Sequence, residues 1–252
     1  MRDFTMNMYH ELLIQIQKSD YRTQTFREFL TNPFEKSIVL RHDVDLRPKN
    51  SLKFAQIQNK LGVKGVYYFR SVPESWDEQT IKEISRLGHE IGYHYECLSI
   101  HKGDFSKAIE QFEHDLTRLR NICQVDTICM HGSPRSRYDS REMWSQFDYK
   151  DFNVIGEPYF DVDYNKVLYL TDTGRTWNNL NYSIRDRVHS ELKYQFKNTF
   201  EIKESIKRHC LPGKIMINFH PQRWTDNKKE WIQELILQNI KNQVKRFLIK
   251  VS

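Results

Sequence analysis

The sequence predicts an α/β fold, a parallel sheet with crossover helices, and two observations carry that expectation. Short apolar runs alternate with stretches of helical hydrophobic spacing over the first 130 residues or so. Several of those runs end abruptly in carboxylate or imidazole side chains. A strand buried on both faces cannot hold charge in its middle but can hold it at its mouth, where α/β active sites lie. The number of strand candidates fits a barrel or partial barrel better than an open doubly wound sheet. The nine glycines form neither a GxGxxG nor a GxxxxGK loop.

Taken in order, Met8, Leu12, Leu13 and Ile16 have helical spacing and predict an N-terminal helix within residues 1–30, an extension to the main fold. Residues 37–40 are an apolar strand leading into Arg41-His42-Asp43-Val44-Asp45. A helix follows over 48–61, with Pro48 suited to its first turn and Phe54, Ile57 and Leu61 on one face. Residues 63–69 read as a strand, 77–87 as a helix capped by Gly88, and 89–95 as a third strand. Phe105, Ile109, Phe112, Leu116 and Leu119 mark the clearest amphipathic helix. Residues 127–130 form a fourth strand ending in His131-Gly132-Ser133-Pro134-Arg135. Beyond residue 140 the strand candidates are 152–155, 167–170 and 215–219, and Trp231, Leu235, Ile236 and Ile240 mark a last helix. No linker, repeat or low-complexity tract divides the 252 residues, so a single domain over 1–252 is expected.

Composition narrows the function classes. No apolar stretch approaches the roughly 18 residues of a membrane span. The first six residues lack the apolar core of a signal peptide, so a cytoplasmic protein is expected. Cys97, Cys123, Cys129 and Cys210 form no CxxC pair and read as free thiols. The net charge of +6 is diffuse, with no basic stripe interleaved with aromatics, so nucleic-acid binding is not expected.

Four strand ends carry the polar chemistry: Asp43 with Asp45, His94 with Glu96, His131, and His220. In a parallel barrel these ends gather on one face. Asp43 and Asp45 are two apart, hence on one side of an extended chain, where two carboxylates repel unless a cation or shared proton relieves them. One as metal ligand and one as general base would use both. His94 and His220 each end an apolar strand, and His220 is placed to protonate a leaving group. His89, at the opposite end of its strand, reads as structural.

These residues resemble the polysaccharide deacetylases, carbohydrate esterase family 4. The resemblance covers roughly residues 37–224. It rests on the aspartate pair of Asp43-Val44-Asp45, on Gly88-His89-Glu90-Ile91-Gly92-Tyr93-His94, which matches the motif Gly-His-Glu-Ile-Gly-x-His closely, and on the strand ending in His220. The resemblance implies a distorted (β/α) barrel of about seven parallel strands. It makes Asp43 the base, Asp45 and His94 ligands of a divalent metal, zinc or a similar ion, and His220 the acid. The implied substrate is a carbohydrate bearing an N-acetyl group. Departures from the pattern are plain. Leu98 stands where the family has a second histidine, leaving His131 or Glu96, with His101 behind them, as the third ligand. Arg135 is the candidate for the family's arginine, and the segment from Thr171 to Trp177 is the candidate for its aspartate-tryptophan motif. Tyr93, Arg135, Asp172, Trp177 and Trp224 are the expected substrate-binding residues.

The expected activity is therefore metal-dependent hydrolysis, N-deacetylation of a sugar in a surface glycan pathway. The alternatives are a metal hydrolase of a non-sugar amide or ester, and a carbohydrate-binding or scaffold protein that kept the fold without catalysis.

Overall fold

The computed structural model describes residues 2–133, 136–177 and 188–251. Seven parallel strands form one sheet: β1 (Arg22–Gln24), β2 (Ser37–Val44), β3 (Val66–Phe69), β4 (Glu90–Tyr95), β5 (Val125–Met130), β6 (Val167–Thr171) and β7 (Lys214–Phe219). The hydrogen-bonded order is β5-β4-β3-β2-β7-β6, with β1 beside the first half of β2. The helices are α1 (Met6–Gln17), α2 (Phe26–Thr31), α3 (Pro48–Lys60), α4 (Glu78–Arg86), α5 (Cys97–Ile100), α6 (Phe105–Arg120), α7 (Pro158–Asp161), α8 (Thr199–Lys207) and α9 (Lys228–Val251). Several starts are fixed by side-chain caps. Thr5, Asp77, Asp104 and Asn198 each accept a main-chain N–H of the first turn, and Thr25 and Glu28 form a capping box.

Every residue of β2 is buried, as a central parallel strand covered on both faces must be. The two faces differ. The outer face, with Ile38, Leu40, Tyr67, Phe69, Ile91, Ile215, Ile217 and Phe219, joins one large apolar cluster with Tyr9, Leu12, Leu13 and Ile16 of α1, Phe54 of α3, Ile81 and Ile84 of α4, Phe112 and Leu116 of α6, and Ile202 and Ile206 of α8. The inner face has a smaller cluster. It links Val39, Val66, Tyr68, Cys129, Tyr169 and Met216, which come from β2, β3, β5, β6 and β7. That cluster draws on both edge strands, β5 and β6, together with Phe26 and Phe29 of α2, and no ladder joins β5 to β6 among the described residues. Close approach on that face needs a glycine: a Cβ on Gly92 would lie 2.3 Å from the Tyr68 ring.

Two expectations change, and the expected last helix is found as α9. The N-terminal segment is no appendage, because its apolar stripe is a core face. Tyr9, Leu12 and Leu13 are fully buried, and β1 pairs with β2. Residues 152–155 are not a strand. A 3-10 turn ends at Phe152, Asn153 takes a left-handed conformation (φ 56°), and only a single bridge, Gly156 with Thr127, follows alongside β5. In the last helix, Ile236 and Ile240 face outward. No described helix is long and apolar enough to cross a membrane.

Candidate metal centre

The C-terminal ends of β2, β4, β5 and β7 bring together Asp43, Asp45, His94, His131 and His220. His94 Nε2 lies 3.6 Å and His131 Nε2 3.5 Å from the same oxygen, Asp45 Oδ1. These three donors lie within 4.8 Å of one another. The separations are too long for hydrogen bonds. They are close to the ~3.4 Å edge of a tetrahedron built with zinc–ligand bonds of about 2.1 Å. Asp45 Oδ1 is buried and has no hydrogen-bond partner, a costly state for a carboxylate oxygen unless a cation meets it. The residues present therefore fit a divalent ion.

The imidazoles are held in the form such an ion needs. His94 Nδ1 is 2.8 Å from the carbonyl of Cys129, which can only accept, so Nδ1 carries a proton and Nε2 is the nitrogen left to meet an ion. His131 Nδ1 is 2.9 Å from Glu96 Oε2, with the same consequence. Glu96 is in turn held by Arg70, whose Nε donates over 2.7 Å to Oε1 and whose Nη1 donates to the Asp45 carbonyl. Burial works against the Glu96 charge, but His131 and Arg70 prevail and hold its carboxyl down to about 2. Of the two candidates for the third position, His131 faces Asp45 and Glu96 stands behind His131. Leu98 is fully buried in the outer core.

Asp43 has a different environment. Arg41, two residues earlier on the same strand face, donates Nε to Oδ1 (2.8 Å) and Nη2 to Oδ2 (2.7 Å), a buried bidentate pair. Asn218 Nδ2 donates to Oδ2 over 2.9 Å. Burial would raise the Asp43 carboxyl, but Arg41 and then His94 outweigh it and bring it down to about 2. Asp43, His94 and Cys129 also cluster. Arg41 already neutralises Asp43, so a cation is better served at Asp45.

His220 forms a dyad with Asp172. Its Nδ1 lies 2.5 Å from Asp172 Oδ1, and its Nε2 points toward Asp45 Oδ2 at 3.8 Å. Asp172 is fully buried. It also accepts the His220 main-chain N–H, Arg223 Nη1 (3.0 Å) and Trp224 Nε1 (2.6 Å). Gln222 Nε2 donates to Asp45 Oδ2 over 3.0 Å, which leaves Oδ1 as the free oxygen.

Four of the expected substrate contacts are inaccessible. Tyr93 is buried with its hydroxyl on Asp115, Trp177 is buried with Nε1 on Thr199, and Trp224 and Asp172 are bonded to each other beneath His220. Each ring fills the outer aromatic core, where burying its large apolar area is worth more than exposure at the rim. Arg135 lies outside the described residues; the arginine that meets Asp43 is Arg41. Arg41 and Asn218 were legible in principle, since each is two residues before a recognised site residue on the same strand and so shares its face. Arg70 and Gln222, on connecting segments, carried no such signal. His89 is structural as expected, accepting Gly65 N–H and bonded to the Ala55 carbonyl.

No family model and no curated protein matches the sequence. Several solved structures do match. A family 4 carbohydrate esterase pseudoenzyme from Bacillus anthracis is 14% identical, with a TM-score of 0.44 over 84% of this chain and 62% of that one. A family 4 carbohydrate esterase from the same organism is 11% identical, with a TM-score of 0.40 over 92% of this chain and 84% of that one. A family 4 carbohydrate esterase from Bacillus subtilis is 18% identical, with a TM-score of 0.39 and the same coverage. The chain spans less than two thirds of the pseudoenzyme's length.

Proposed function

We propose that this chain is a zinc-dependent hydrolase of the polysaccharide deacetylase type, removing the acetyl group from an N-acetylated sugar of a surface glycan precursor in the cytoplasm. The observation that carries this reading is the unpartnered Asp45 Oδ1 facing two imidazole nitrogens whose opposite nitrogens are already committed. When bound, a divalent ion supplies Lewis acidity, bringing a water toward ionisation at neutral pH and polarising an amide carbonyl. Asp43 is held ionised by Arg41, and it accepts the proton of the attacking water as that water's oxygen adds to the carbonyl carbon. His220, oriented through Nδ1 by Asp172, donates from Nε2 to the nitrogen as the C–N bond breaks, leaving acetate and an amine.

The test is zinc affinity together with acetate release. His94→Ala and His131→Ala should lose zinc by orders of magnitude. Asp43→Asn should keep zinc and lose at least about 100-fold in rate. Unchanged zinc content in both histidine variants would defeat the reading. A second reading is favoured by the burial of Tyr93, Trp177 and Trp224, which leaves none of the expected aromatic rings free to stack on a sugar: the same machinery would then hydrolyse a non-sugar amide or ester. Release of acetate from N-acetylated sugars against simple acetanilides and esters separates the two.

A further inference from the structure

Helix α9 turns Trp231 and Leu235 partly inward, but the residues of it that are buried outright, among those whose side chains are described, are polar. Gln238 and Asn242 are buried, Gln238 Nε2 donates to Asn242 Oδ1, Asn242 Nδ2 donates to the Gly174 carbonyl (both 2.8 Å), and Arg175 Nη1 donates to the Trp231 carbonyl. These bonds fix the helix's rotation. They turn outward Ile232, Ile236, Leu237, Ile240 and Val244, each between 41% and 58% exposed. Half of the ten exposed large hydrophobic residues among those described lie in this one stripe, a concentration that marks a contact surface rather than scattered surface apolar residues.

We propose that this stripe is the contact face of a two-fold symmetric dimer, in which α9 packs antiparallel against α9 of a second copy of the chain. Charge selects that occupant. Glu234 and Lys241 are seven residues apart, about 20° on the helical wheel, so they share one edge of the stripe, and Glu230 lies on the same edge. That edge is acidic toward the N-terminal end and basic toward the C-terminal end. In an antiparallel pair related by a two-fold axis, like edges face each other. An axis midway between Leu237 and Gln238 sets Glu234 of each copy opposite Lys241 of the other. A bilayer surface would meet the acidic half of that edge unfavourably.

Sedimentation velocity of the full chain from about 1 to about 100 µM tests this. A dimer is expected, and Ile236→Asp with Ile240→Asp should make it monomeric with an unchanged thermal melt, because neither side chain is in the core. Glu234→Lys and Lys241→Glu should each weaken dimerisation at least several-fold, and the two together should restore it. That restoration is the decisive arm, because Glu234 also lies near Arg175 of its own chain and a merely local effect would not be rescued. A monomer throughout the range, a dimer indifferent to the aspartate substitutions, or a monomer that cosediments with phosphatidylserine vesicles through this stripe overturns the proposal. Zinc binding and activity are measured separately and do not enter it.

Discussion

His42 and Asp43 are neighbours in β2, and they face opposite sides of the sheet. His42 points outward. Its ring stacks on Tyr67 (centroids 4.1 Å apart) and lies near Phe219, Nδ1 meets the Val66 carbonyl and Nε2 meets the Tyr9 hydroxyl. Burial pushes this imidazole down to about 3, so it stays neutral. Asp43 points inward and stays charged because Arg41 shares its face. The two buried groups meet the desolvation cost in opposite ways: His42 on the helix-covered face gives up its charge, and Asp43 on the inner face keeps its charge and pairs it. Both sides carry buried polar atoms without partners: Arg41 Nη1, Asp45 Oδ1, Asn218 Oδ1 and Gln222 Oε1 on or beside the inner-face cluster, and Ser51 Oγ and Gln58 Nε2 on the covering helix α3. What sets the inner side apart is that one of its unpartnered atoms is a carboxylate oxygen.

The largest effect follows from breaking an inner pair. Arg41→Met strands a buried carboxylate and should cost about 3–5 kcal/mol in urea unfolding. Arg41→Met with Asp43→Leu removes both charges and should cost much less than the single substitution. If the double variant is as unstable as the sum of its parts, the charges on this face are not a pair in the sense argued.

Acid titration separates the faces by pH window. Between pH about 6.5 and 3 the unfolded chain protonates His42 while the folded chain does not, so stability falls as pH drops through that range. The depressed Asp43 and Glu96 carboxyls lose their contribution later, as pH falls from about 4 toward 2. His42→Leu should therefore flatten the stability-versus-pH curve between pH 6 and 4.5 by about 1.4 kcal/mol per pH unit. Buried Glu157 is pushed up to about 7 by desolvation and acts with the opposite sign in the same window, so the difference between variant and wild type is the readout. Parallel curves would mean that His42 is not held neutral.

The difference between the faces also explains what the sequence could reveal. Apolar runs and their polar ends locate β2, β4, β5 and β7, and with them Asp43, Asp45, His94 and His220, because burial on both faces of a strand is written in an unbroken apolar run. β1 is Arg-Thr-Gln and has no such pattern; its place comes from pairing with β2. The aromatic candidates failed for a related reason: a tryptophan beside a motif is equally suited to a core and to a binding rim, and only the fold distinguishes them. The choice between His131 and Glu96 was beyond spacing alone, since it turns on which side chain reaches Asp45 and which reaches the other's Nδ1.

That distinction predicts a graded result at the proposed metal centre. Glu96→Gln keeps an acceptor for His131 Nδ1 but removes the charge that raises the imidazole's basicity. Zinc affinity should fall about 10- to 100-fold, far less than on loss of His131 itself. Competition with a chromophoric chelator measures both. Equal losses for the two variants would place Glu96 among the ligands.

The smallest effect is expected at Tyr9, and it tests whether the faces are independent. The Val66 carbonyl can only accept, so His42 Nδ1 carries the proton, Nε2 is the acceptor, and the Tyr9 hydroxyl donates to it over 3.0 Å. Tyr9→Phe removes that donor without changing the ring's contacts with Phe54 and Phe219. A buried nitrogen without its hydrogen bond should cost about 1 kcal/mol, and more if no water reaches it. The tyrosine lies on α1, across the sheet from Asp45 and His131, and no bond of the inner network passes through it. Zinc affinity and turnover per folded molecule should therefore be unchanged while the urea midpoint falls. A loss of zinc affinity in Tyr9→Phe would mean that His42 transmits its position through β2 to Asp43, and the independence of the two faces would have to be given up.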